Sequence, residues 1–161
     1  DWLKVKKKFN PDLFILIDDG KQRENLRKKI YQSNNKNLLL DEKLISKSSL
    51  KYLSKKSGVI IQKSVLISSH VKINEGVKIH IGSQIHHGVS IDKYSTISPA
   101  SIILGNVKIG KYSFIGANST IRQKIKIGNH CVIGAGAVVV RDVKDGETVV
   151  GNPATKINYK K

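Results

Sequence analysis

Five histidines, His70, His80, His86, His87 and His130, are the side chains of this 161-residue chain best suited to moving a proton near neutral pH. Two of them are adjacent, in the run Ile85-His86-His87-Gly88-Val89-Ser90. A histidine so placed can act as a general base or as a metal ligand. The single cysteine, Cys131, excludes an intramolecular disulfide framework and a multi-cysteine zinc site. It fits a reducing, cytoplasmic setting. No dinucleotide-binding GxGxxG run occurs.

A scaffold must hold these side chains, and its signature is a repeat. Every sixth residue from Ile61 to Ile133 is isoleucine, and Val139 continues the series, giving fourteen aliphatic positions without an insertion. Two residues before each one after Ile61 stands a small or aliphatic residue, from Val65 through Ser83, Ser101 and Cys131 to Ala137. Six residues turn an α-helix through about 600°, so the isoleucines would form no stripe. A strand uses the pattern directly. Val71-Lys72-Ile73 and Val107-Lys108-Ile109 put two apolar residues on one face and lysine on the other. Polar or glycine-containing runs such as Gly110-Lys111, Gly116-Ala117-Asn118 and Gly128-Asn129 supply turns. Short strands joined by corners make a three-sided prism of 18 residues per coil, with coils stacked about 4.8 Å apart. The array predicts between four and five coils.

That register sorts the chemistry. His87 falls two residues after the inward Ile85, at an outward corner, and Cys131 falls on an inward core position. Gly105 lies 18 residues beyond His87, one coil on. Ala117 and Ala135 are also 18 apart and stack along one edge. Stepping 18 residues from His70, His80, His86 or His87 meets no second histidine, which weakens a three-histidine metal site.

Composition narrows the partners. The chain carries 29 basic and 12 acidic residues, a net +17. The excess is even, +8 over residues 1–57 and +9 over 58–161, so it is no basic tail on a neutral body. Lysine accounts for most of it. Lysine on a solvated surface explains this better than nucleic acid, since no nucleic-acid motif is present. Aromatic residues are only 6% of the chain, so the core must be aliphatic. No apolar run reaches the roughly 18 residues of a membrane span, and no signal-peptide pattern is visible. The absence of methionine and the start at Asp1 fit a fragment or a processed product.

Residues 1–57 differ from the repeat and are expected to form a partial α/β segment and linker, with the β-helix over 58–161. Residues 13–18 read as a buried strand, and Asp19-Gly20 as a turn. Residues 21–32 read as a helix with Leu26 and Ile30 on one face and basic residues elsewhere. Trp2, Val5 and Phe9 suggest an earlier helix face, and residues 38–57 a degenerate first coil.

Val107-Lys108-Ile109-Gly110 and Cys131-Val132-Ile133-Gly134-Ala135-Gly136-Ala137 resemble the hexapeptide-repeat acyltransferases. The ending Val149-Val150-Gly151-Asn152-Pro153-Ala154 is similar to that of acetyl-CoA-using members, with Thr155 as a departure. Leu16 to Arg23 resembles the late Rossmann-like part of one branch, the sialic acid O-acetyltransferases and bacillosamine-pathway sugar N-acetyltransferases. That branch implies a left-handed parallel β-helix, mainly β, preceded here by a small truncated Rossmann-like α/β segment. It implies a homotrimer that moves acetyl from acetyl-CoA directly to a hydroxyl or amine of a sialic acid or nucleotide-linked amino sugar.

By this resemblance His87 is the catalytic base, with His86 as fallback. The Gly105 N–H meets the acetyl carbonyl. Ala117 and Ala135 line the coenzyme A groove, and Arg141 and Lys156 meet its phosphates. An acidic residue that often follows the histidine in the family is Gly88 here. A second histidine nine residues on is Thr96, which retains a hydroxyl to donate to acceptor or acetyl group. No metal and no membrane partner are expected. A γ-type carbonic anhydrase-like metalloenzyme and a non-catalytic β-helix scaffold are the alternatives.

Overall fold

A computed structural model of the chain describes residues 19–32 and 58–158. The expected strand at 13–18, the helix face of Trp2, Val5 and Phe9, and the coil at 38–57 lie outside these residues. The repeat folds as its spacing dictates. Two-residue strands recur every six residues and sort into three parallel sheets. The first sheet holds β1 (Ile60–Ile61), β4 (Lys78–Ile79), β7 (Thr96–Ile97), β10 (Phe114–Ile115) and β13 (Val132–Ile133). The second holds β2 (Leu66–Ile67), β5 (Gln84–Ile85), β8 (Ile102–Ile103), β11 (Thr120–Ile121) and β14 (Val138–Val139). The third holds β3 (Lys72–Ile73), β6 (Ser90–Ile91), β9 (Lys108–Ile109) and β12 (Lys126–Ile127). Every pairing in these coils joins residues 18 apart, such as Ile79↔Ile97 and Ile85↔Ile103. β15 (Thr148–Val150) continues the first sheet, and β16 (Thr155–Ile157) returns antiparallel on it to close the end.

The inward isoleucines fill the prism. Ile61, Ile79, Ile97, Ile115 and Ile133 are each 0% exposed. Burying a side chain of this size contributes about 1.5–3 kcal/mol. The second inward column set differs from edge to edge. Behind the edge joining the second and third sheets it is aliphatic, with Val71, Val89, Val107 and Ile125. Behind the edge joining the third and first sheets it changes along the prism, with Val59 and Val77 in the first coils and then Ser95, Ser113 and Cys131. Ser95 Oγ donates to the Gly110 carbonyl at 2.6 Å, and Ser113 Oγ to the Gly128 carbonyl at 2.7 Å. Cys131 Sγ donates to the Lys144 carbonyl at 3.0 Å, and burial pushes its pKa up, as expected of a core thiol.

Corners explain the rest of the period. The second corner residue has a positive φ at all fourteen positions from Gly58 to Gly136, and nine of them are not glycine. Tyr94, Tyr112 and Lys124 adopt it despite their side chains, so the coil geometry overrides the local cost. Gly110, Gly116 and Gly128 do not carry the positive φ that their turns suggested. Their hydrogens instead face the next coil; a Cβ on Gly116 would lie 2.6 Å from Ala135 N.

The helix α1 spans Gly20–Gln32. Asp19 caps it by accepting the Gln22 N–H at 2.8 Å, so Gly20 opens the helix rather than completing a turn. The expected apolar face is corrected. Arg23 is 3% exposed and Arg27 7%, whereas Leu26 is 37% exposed. The physical reason is what α1 packs against. Corner carbonyls project along the third-to-first edge, and a guanidinium satisfies them where leucine cannot. Arg23 donates to the Gly76 carbonyl (3.1 Å), the Tyr94 carbonyl (2.8 Å) and Thr96 Oγ1 (3.2 Å). Lys78, expected to be solvated, is also buried, beside Thr96 on the sheet that α1 covers.

Candidate active site

His87 stands at a corner between the second and third sheets, in a column tied coil to coil. Gly88 N–H donates to the Ser69 carbonyl (3.0 Å), Asn106 N–H to the His87 carbonyl (2.8 Å), and Lys124 N–H to the Gly105 carbonyl (2.9 Å). The repeat therefore fixes the histidine backbone from both sides. Its imidazole is exposed and lies over Gly105. A Cβ built on Gly105 would sit 2.5 Å from His87 Nε2 and 2.6 Å from Cε1, so only glycine admits the ring in this position. The Gly105 N–H has no hydrogen-bond partner among the described residues.

Gly88 also has a reason within the fold. Its φ is +67°, and the carboxamide oxygen of Asn106 occupies the space a Cβ would take. An acidic side chain at 88 would displace Asn106. Nothing among the described residues hydrogen-bonds the His87 ring, so packing on Gly105 sets its position.

The other anticipated residues divide among separate regions. His86 is half-buried and faces the second sheet. It lines a shallow cavity of about 250 Å³ with Leu66, Ile67, Ser68, Gln84 and Ile85. Thr96 lies on the first sheet, 2% exposed, with its hydroxyl held by Arg23 beneath α1. Within one chain it is away from the His87 corner. Ala117 and Ala135 do stack, joined by the Gly136 N–H donating to the Ala117 carbonyl at 2.8 Å. They occupy the edge between the first and second sheets, not the His87 edge.

Arg141 and Lys156 share a cavity of about 320 Å³ at the closed end, with Asp142 and Glu147 also in its wall. Lys156 Nζ sits 3.2 Å from Glu147 Oε1. The Glu147 carboxyl is held below its ordinary pKa, first by the Lys144 N–H and then by Lys156. Among the described residues, no three His, Cys, Asp or Glu side chains come together as a metal site. No helix among them is long and apolar enough to cross a membrane.

Sequence reading missed the buried arginines and Asn106. Adding 18 to Gly88 finds Asn106, since corner stacking follows the same step.

The arrangement is that of a coiled β-prism with His87 seated over Gly105 on an edge that also carries the exposed His70 one coil below. Residues 106–141 match the family described as bacterial transferase hexapeptide (six repeats). The fold is that of the left-handed β-helix acyltransferases. The chain is similar to a histidine-to-alanine variant of GDP-perosamine N-acetyltransferase from Caulobacter crescentus, solved with CoA and GDP-perosamine. It shares 21% identity over 97% of this chain and 73% of that one, with a TM-score of 0.67. A second structure, PerB from Caulobacter crescentus with the same two ligands, shares 22% identity over 97% and 75%, with a TM-score of 0.55. LpxA from Acinetobacter baumannii shares 25% over 67% and 47%, with a TM-score of 0.53. No curated protein matches the chain.

Proposed function

We propose that this protein is an acetyl-CoA-dependent sugar acetyltransferase with His87 as general base. The observation that carries the reading is the exposed His87 imidazole seated on Gly105, whose N–H is free beside it. A base and an oxyanion donor on one rigid edge are what acyl transfer needs. His87 takes the proton from the acceptor hydroxyl or amine as that atom bonds to the thioester carbonyl carbon. The Gly105 N–H donates to the oxygen as it gains negative charge. When the C–S bond breaks, the imidazolium returns its proton to the departing thiolate. No acyl-enzyme forms, and buried Cys131 takes no part.

The acceptor in this reading is a sialic acid or a nucleotide-linked amino sugar. The two perosamine acetyltransferase neighbours, solved with CoA and a nucleotide sugar, favour the second. Ala117 and Ala135 offer a small-residue edge for the pantetheine arm, and Arg141 and Lys156 a cationic end for phosphate. These residues lie apart from His87 within one chain, and a homotrimer would bring the edge of one copy to the His87 corner of the next. The outward face of the second sheet supports such packing. It carries Leu66, Ile102, Leu104, Val138 and Val140, and Leu66 is 64% exposed. The division into residues 1–57 and 58–161, and a cytoplasmic setting, belong to the same proposal.

The test is thiol release from acetyl-CoA by wild type and His87→Ala, with sialic acids and nucleotide-linked amino sugars as acceptors. Acceptor-dependent release that the variant loses establishes the transferase and its substrate class. Absence of both release and acetyl-CoA binding leaves the β-helix as a scaffold.

A further inference from the structure

The third sheet carries on its outer face a column of lysines that no described carboxylate pairs with. Lys72 pairs in register with Ser90, Ser90 with Lys108, and Lys108 with Lys126. Neighbours in such a column are about 4.8 Å apart. All three lysines are exposed, and none has an ion-pair partner among the described residues.

The nearby carboxylates are engaged elsewhere. Asp92 accepts from Asn74 Nδ2 (3.1 Å) and the Lys93 N–H (2.8 Å). Asp142 accepts the Lys126 N–H at 2.8 Å and sits only at the far end of the column. Glu75 is paired with Lys93 and bonded by Tyr94. Stacking Lys108 directly on Lys126 is unfavourable for the free protein and favourable once an anion bridges them.

Place within the fold gives the column its use. Ser90 is three residues beyond His87 on the same coil, with Lys72 one coil below and Lys108 one coil above. Lys124, at the second corner position of the His87 edge, adds a further cation on that side. The gap over Ser90 is therefore a hydroxyl bracketed by two ammonium groups about two coil heights apart, which suits the several oxygens of a diphosphate.

We propose that Lys72, Ser90, Lys108 and Lys126 form a diphosphate-binding rail that holds a nucleoside diphosphate group beside the His87 corner. Its catalytic use rests on the transferase reading above, but its binding does not. Both a nucleotide-linked sugar and coenzyme A carry a diphosphate, and the test separates them.

Calorimetric titration of the intact protein with GDP, UDP and coenzyme A, without acetyl transfer, reads the rail directly. Lys72→Gln and Lys108→Gln each weaken binding about fivefold, and the double variant more than about tenfold. Lys29→Gln, an exposed lysine on α1, leaves it unchanged and controls for net charge. Raising salt weakens wild-type binding more than that of the double variant. Loss for GDP and UDP assigns the rail to the acceptor, and loss for coenzyme A alone assigns it to the donor. Affinities that the lysine variants do not change overturn the proposal. So does lysine-dependent binding of duplex DNA or phosphatidylserine vesicles with no binding of the small diphosphates. A failed acetyl-transfer assay with lysine-dependent diphosphate binding would sink the transferase reading and leave the rail standing.

Discussion

Two edges of the prism share one backbone and differ in what stands on it. On the third-to-first edge the positive-φ column is filled. Arg27 lies over Gly58, Tyr94 over Gly76, and Tyr94, Tyr112 and His130 continue as a stack. The rings of Tyr94 and Tyr112 are 6.0 Å apart, and those of Tyr112 and His130 4.9 Å. α1 covers part of this column, and the carboxylates of Glu24 and Glu75 bind the tyrosine hydroxyls. On the second-to-third edge Gly105 leaves room for the exposed His87 ring, and the positive-φ column beside it runs His70, Gly88, Asn106 and Lys124, with His70 also exposed. Both edges therefore hold histidines, but His130 is a layer in a stack, whereas His87 is an exposed imidazole seated over a glycine. Filling a column makes structure, and clearing it makes room for a ligand.

Removing each histidine sharpens the contrast most. His87→Ala should lower acetyl transfer by about 10²–10⁴-fold with an unchanged melting temperature. His130→Ala should leave the rate intact and cost about 0.5–1.5 kcal/mol of stability through the lost ring contact. Equal rate losses from the two would erase the distinction between the edges.

Filling the space at Gly105 comes next. Gly105→Ala puts a methyl where His87 Nε2 now lies and leaves the backbone free of positive-φ strain. The imidazole must swing away, since a side-chain tip yields before the coil does. A loss of about 100-fold in kcat with little change in melting temperature is expected. Steady-state kinetics and thermal unfolding of one preparation check both. An unchanged kcat would show that the ring position is not used.

The filled edge should answer in stability. Arg23→Met withdraws the donors that satisfy the Gly76 and Tyr94 carbonyls and Thr96, leaving buried acceptors unpaired. A loss of about 2–3 kcal/mol follows, read by denaturant unfolding. A neutral result would mean that water replaces the guanidinium and that α1 is not clamped.

Legibility followed the same division. Six-residue spacing showed the sheets, the 18-residue register and the inward fate of Cys131, because one buried position per strand leaves no alternative face. The same step placed His87 over Gly105 before any coordinates. What stayed hidden was whatever the repeat does not encode. Arg23 and Arg27 read as solvated because helix periodicity shows apolar faces, and here the partner surface is a row of carbonyls. The tyrosine and histidine stack was in view at 94, 112 and 130, steps of one coil. Corner positions carry no apolar signature that separates a ring stack from solvated side chains. Thr96 could not be placed from its distance to His87, because nine residues carry a chain halfway around the prism.

The interiors behind the two edges carry the comparison inward. The second-to-third edge is backed by Val89 and Val107, and the third-to-first edge by Val59 and Val77 in its first coils and by Ser95 and Ser113 further on. Ser113 Oγ donates to the Gly128 carbonyl and accepts the Cys131 N–H at 3.1 Å, so it is bonded both ways. Ser119, behind the remaining edge, has a buried Oγ with no partner. Ser113→Ala should cost about 1–2 kcal/mol and Ser119→Ala nothing or a slight gain. No loss from either substitution in urea unfolding would show that small size, not the hydroxyl, selects serine in these columns.

A smaller loss than that at Ser113 is expected at Tyr112, where the filled edge meets α1. Its hydroxyl donates to Glu24 Oε2 at 2.7 Å. Glu24 is held below its ordinary value, chiefly by Lys28 and then by Tyr112. Tyr112→Phe keeps the ring in its stack and removes only that bond, at about 0.5–1 kcal/mol. A carboxyl with a depressed folded pKa stabilises above its unfolded value of 4.5 and loses that contribution as pH falls through the folded value. The gap in melting temperature between wild type and variant should therefore be full at pH 7 and narrow as the pH drops below about 4.5. A gap that persists at pH 2 would show that the Tyr112 hydroxyl stabilises the docking of α1 without needing the Glu24 charge.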